Sequence, residues 1–136
     1  MAGLAVQMIN KTGNPSVKGY VVTPYDDTAI NNAFELIGAA DDADPIGIVY
    51  QAGVADGSLC WVTFTGNAYV YFIGDTVRGH FARTGVTADT GETAGQAVAE
   101  AVPISPFAVD KHFQEIGHVL ESRSGAGLAL CIIHFN

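Results

Sequence analysis

Sixteen glycines and five prolines are spread along the 136 residues rather than gathered into a linker. They cut the chain into apolar segments of about 4 to 8 residues, the spacing of an all-β sandwich or barrel. The clearest strands fall at 19–23, 46–51, 59–65, 68–73, 115–121 and 128–135, all rich in β-branched and aromatic residues. A single small domain is expected, because a chain of this length builds one core and buries enough surface to need no disulfide or metal staple.

Gly66-Asn67 separates two of these segments. A two-residue turn flanked by alternating apolar positions predicts an antiparallel hairpin of 59–65 with 68–73. Within the first of those strands Trp61 and Thr63 share one face, while Cys60, Val62 and Phe64 share the other. Both faces carry bulk, so the hairpin should be covered on both sides, by the rest of the fold or by another subunit.

Three regions are less regular. In 26–38, Ile30, Ala33, Phe34 and Ile37 fit helical spacing, with Asp27 or Thr28 as a cap and Gly38 just past the end. A strand or irregular loop is preferred, because Asn31-Asn32 weakens a helix. Residues 84–107 are rich in small residues and read as one long surface excursion from a β-domain spanning 18–136. Residues 1–17 alternate at Leu4, Val6 and Met8 before Asn10-Lys-Thr-Gly-Asn-Pro15 breaks the pattern. They are expected to form an extended arm that adds a strand to a neighbour's sheet edge.

Only twenty residues are charged, six basic and fourteen acidic, for a net charge of −8. At 15% the charged share falls below the roughly 25% of an ordinary soluble domain, which leaves neutral surface for subunit contacts. The basic residues Lys11, Lys18, Arg78, Arg83, Lys111 and Arg123 are scattered. That distribution argues against nucleic acid and against anionic membranes, both of which are bound through clustered Lys and Arg. The N-terminus lacks a basic n-region followed by a long apolar run, and no segment approaches the roughly 20 apolar residues of a membrane span. The expectation is a chain made and used without secretion, with Cys60 and Cys131 acting as small reduced hydrophobes rather than a disulfide.

Chemistry-bearing patterns are sparse. In His112-Phe-Gln-Glu-Ile-Gly-His118, the spacing does not match the helical zinc motif. On a regular strand His112 and His118 would share a face about 20 Å apart, with Glu115 pointing away. The reading is therefore structural or interface histidines, with no metal and no cofactor. Asp41-Asp42-Ala-Asp44 lacks the loop pattern of a calcium hand and reads as a solvated turn. No nucleophile elbow, low-pKa thiol setting or phosphate-cradling loop is present, so neither enzyme nor small-molecule substrate is expected. Tyr69 and Tyr71, with no basic residues interleaved, read as core and interface rather than as a base-stacking platform.

Across residues 15–136 the pattern resembles the phage head-decoration or capsid cement proteins. The resemblance rests on Lys18-Gly19 with Val21-Val22, on Asn32-Ala-Phe-Glu-Leu36, and on Ile46-Gly-Ile-Val-Tyr50. It continues through Gly57-Ser58, Trp61-Val62 and Arg78-Gly79. Its most specific blocks are His112-Phe-Gln-Glu-Ile-Gly-His-Val-Leu-Glu-Ser122 and His134-Phe-Asn136. It implies a non-enzymatic β-barrel or β-tulip-like protein on the outer surface of a phage head, bound to the major capsid protein and to itself as a homotrimer. A virion appendage module, such as a head-fibre base or a tail or host-binding β-domain, is the alternative. Interface candidates are Leu4, Val6, Met8, Trp61, Tyr69, Tyr71, His112 and His118. The acidic turns around Asp26, Asp41 and Asp89 are expected on the solvent side.

Overall fold

The computed structural model describes residues 3–37, 44–85, 93–101 and 114–135. These form nine strands and no helix: β1 Leu4–Asn10, β2 Val21–Pro24, β3 Ala33–Leu36, β4 Gly47–Val49, β5 Leu59–Phe72, β6 Phe81–Thr84, β7 Ala97–Glu100, β8 Glu115–Val119 and β9 Gly127–Ile133. One hydrogen-bonded order, β1-β3-β2-β4-β5-β7-β6-β8-β9, runs through all of them. Two further pairings, β1 with β5 and β5 with β9, close the first five strands into a barrel and bring the remaining strands back onto β5.

The 14-residue β5 is the shared stave. Its first half pairs antiparallel with β1, from Leu4 opposite Thr65 to Ile9 opposite Leu59. Its second half pairs antiparallel with β9, from Gly66 opposite Ile133 to Phe72 opposite Gly127. The hairpin predicted at Gly66-Asn67 does not form. Asn67 stays in the ladder opposite Ile132, and Gly66, at φ 88°, serves a close approach instead. A Cβ there would sit 2.9 Å from the Gly3 Cα, so the missing side chain lets β1 pass across the strand.

The arm expected at residues 1–17 is likewise corrected. Leu4–Asn10 is an integral strand, antiparallel to β5 and parallel to β3. A five-stranded barrel has no edge left over for a neighbour once β1 has closed it. The 84–107 excursion is not one loop either, because β7 lies inside it and pairs antiparallel with β6 from Ala97 to Glu100. Its Ala97-Val-Ala sequence has weak strand propensity, and burial against Phe72 compensates. The strand preferred within 26–38 is present as β3, entered through Asn32 in the left-handed region at φ 57°.

Two cores flank the shared strand. Val22, Phe34, Val49, Cys60 and Val62 fill the barrel. Val70, Phe72, Ile116, Val119, Cys131 and Ile133 belong to the second cluster, which Val21 and Ile48 also join. Adjacent residues of β2 and β4 thus supply different cores, because successive side chains of a strand point to opposite faces. Each such residue contributes about 1.5–3 kcal/mol through burial. Cys60 and Cys131 are free thiols in separate cores. Burial raises the Cys60 thiol and pushes Cys131 up to about 12, so both stay neutral.

Candidate functional site

The outward face of β5 is set by the same alternation that buries Cys60 and Val62. Leu59 and Trp61 project away from the barrel, opposite Ile9 and Gln7 of β1. Trp61 remains 42% exposed, and Tyr50, which donates its backbone N–H to the Trp61 carbonyl at 2.9 Å, remains 51% exposed. Between them lies a shallow hollow of about 250 Å³ bordered by Gly3, Ala5 and Thr63.

Tyr50 also borders a second hollow of about 330 Å³, together with Lys18, Tyr69 and Leu130. The Lys18 ammonium stands 5.4 Å from the Tyr50 ring centre and 5.7 Å from that of Tyr69, within cation–π range of both. Trp61, Tyr50, Lys18 and Tyr69 therefore make one continuous aromatic surface with a single cation in it. Surfaces of this composition, large rings with little charge, are those that protein interfaces favour at their centres.

The other interface candidates divide. Leu4, at 64% exposure the most open large apolar residue among those described, and Val6 are exposed on β1. They alternate with Gly3 and Ala5, which border the Trp61 hollow, and so lie on the other face of the strand. Met8 instead packs against the barrel core. Tyr71 is spent inside the chain, edge-on to Tyr20 with ring centres 5.6 Å apart. His112 lies outside the described residues, as do Asp41 and Asp89, while Asp26 and Asp27 are exposed. Lys18 and Tyr50 stand in blocks that carry the resemblance but are not among the expected interface residues, since nothing local distinguishes a lysine that will lie between two rings.

His118 is not isolated from Glu115 as regular strand parity required. Gly117 has φ 154°, and the β6–β8 register slips between Ala82, opposite Gly117, and Arg83, opposite Glu115. This bulge adds one residue to β8, which turns Glu115 and His118 toward the same side. His134, just beyond β9, joins them. Its Nε2 is 3.1 Å from His118 Nδ1 and 3.8 Å from Glu115 Oε1, and His118 Nε2 is 4.0 Å from that carboxylate.

The fold and surface define a small all-β module, part closed barrel, built to present an apolar face. No protein-family model matches the chain, and no curated protein does. Among solved structures it is similar to the N base of head fiber gp8.5 in bacteriophage phi29, with a TM-score of 0.62 over 96% of this chain and 93% of that one, at 16% identity. At that identity the likeness establishes a shared architecture.

Proposed function

We propose that this chain is a non-catalytic structural protein of a bacteriophage virion, carried on the outside of the head. The observation that supports this most is the end-to-end architectural likeness to a head-fibre base. The exposed Trp61, Tyr50 and Tyr69 surface and the scarcity of charge agree with a protein whose work is subunit contact. In the cement form of this reading, the chain binds the major capsid protein as a homotrimer and favours the expanded shell by mass action. A ligand that binds only the expanded state contributes RT ln(1 + [L]/Kd) per site, about 2.7 kcal/mol at a hundredfold excess over Kd.

The second reading, a base on which a fibre is mounted, is favoured by the nature of the structural neighbour itself. A cryo-EM map of virions whose genome encodes this chain separates the two. Cement predicts the chain at every equivalent shell position and particles that lose DNA at lower temperature when it is deleted. A fibre base predicts further protein density rising from it and unchanged particle stability. Finding the chain on the tail, or in no part of the virion, would refute both.

A further inference from the structure

The geometry points to a transition-metal site, best suited to zinc, formed by Glu115, His118 and His134. The ligand atoms of these three side chains all lie within 4.8 Å of one another. Glu115 and His118 lie on β8 and His134 just past β9, and the ladder fixes their positions: His118 pairs with Ile132 across β8 and β9, and the His134 N–H donates to the Ile116 carbonyl at 2.8 Å. Zinc holds imidazole nitrogen and carboxylate oxygen at about 2.0–2.2 Å in a tetrahedron, which sets its ligand atoms about 3.3 Å apart. The two imidazole nitrogens already stand 3.1 Å apart and the His134–carboxylate pair 3.8 Å. A single His118 nitrogen must face both partners, and the trio's ligand atoms are separated by up to 4.8 Å. Closing onto one ion therefore brings the widest pair together by up to about 1.5 Å, within reach of rotation of the half-exposed histidine side chains.

The donor set selects the metal. Two imidazoles and one carboxylate suit zinc, cobalt, nickel or copper, whereas calcium and magnesium require a shell of oxygens. Burial orders the ligands in a useful way, since Glu115 has a 13% exposed side chain while the histidines are 43% and 49% exposed. The carboxylate forms the fixed floor, and the imidazoles close from the solvent side. Three protein ligands leave a fourth position facing outward, open to water or to a donor from a neighbouring molecule. The inference stands apart from the virion reading, because it uses only the chain's own side chains.

The test uses the full chain after treatment with chelator and titrates it with zinc by calorimetry and with cobalt by visible absorption. One ion per chain is expected, with the intense ligand-field bands of tetrahedral cobalt. His118→Ala and His134→Ala should each weaken zinc at least about tenfold. His80→Ala, a histidine outside the cluster, should leave binding unchanged. Both cluster histidines are half-exposed, so circular dichroism of their variants should match the parent. Zinc binding that survives undiminished in the His118→Ala, His134→Ala double variant, or a parent that takes up no zinc, would overturn the site.

Discussion

Replacing Gly117 by alanine is the sharpest test of how β8 is built. At φ 154° an L side chain is strained, a cost of about 1–3 kcal/mol. The added Cβ would lie 2.1 Å from the Ile132 carbonyl oxygen and 2.8 Å from the Ile133 Cα, both backbone atoms of the neighbouring strand. Relief requires β9 to move away by about 1 Å at the Gly117–Ile133 pair, which also strains the adjacent hydrogen bond from His134 N–H to Ile116. Overpacking of this kind costs about 1–3 kcal/mol and a weakened hydrogen bond about 1 kcal/mol more. Together the loss is about 3–5 kcal/mol, a large part of the 5–15 kcal/mol that holds a typical domain folded. Urea unfolding followed by far-ultraviolet circular dichroism should show the midpoint falling with an unchanged slope. Ser124→Ala, in the exposed turn between the same strands, should stay within about 0.5 kcal/mol. A loss under about 1 kcal/mol for Gly117→Ala would refute the reasoning, because it would mean that the bulge is not held against β9.

Removing residues 1–10 should do more than trim a tail: it takes away the stave between β3 and β5, so melting followed by circular dichroism should drop by more than ten degrees or the protein should become insoluble. A shift of only a few degrees would restore the arm interpretation. Arg83 is buried, donating from Nε to Glu100 Oε1 at 2.9 Å and from Nη1 to the Thr84 carbonyl at 3.0 Å; Arg83→Met should cost about 3 kcal/mol in chemical denaturation, and Glu100→Leu added to it should recover part of that. Because burial, and secondarily the Glu121 charge, lifts Cys131 from 9.0 to about 12, its contribution is complete below about pH 9 and is lost as pH rises toward 12. That loss amounts to roughly 4 kcal/mol, and the stability-against-pH curve of Cys131→Ala should be correspondingly flatter in this window. Trp61→Asp should leave melting within about 1 kcal/mol of the parent while reducing self-association or shell occupancy, read by light scattering and by particle binding.

The strands at the well-patterned segments were legible in the sequence because β-branched alternation between glycines has one inexpensive solution, a pleated surface buried on at least one side. In β2 and β4 both sides are buried, Val21 and Ile48 in one core and Val22 and Val49 in the other. The errors share a cause. Gly66-Asn67 carries a local turn signal, yet Gly66 is used for a contact with Gly3, more than sixty positions away. The alternation of Leu4, Val6 and Met8 is that of a strand whether its partner is another chain or this one, and only closure of the barrel decides between them. Likewise Ala97–Glu100 becomes a strand because Phe72 covers it, not because alanine prefers one.

By itself the sequence determined the class of fold, the scarcity of charge, and the apolar segments that hold the two thiols, all of which follow from composition and short-range periodicity. The tertiary structure alone decided what depends on register across strands. It brought His134 to His118, and a one-residue bulge at Gly117 moved Glu115 from the wrong face to the right one. Strand parity is a local rule, and a bulge breaks it only where a neighbouring strand can absorb the slip, which no single segment of sequence records.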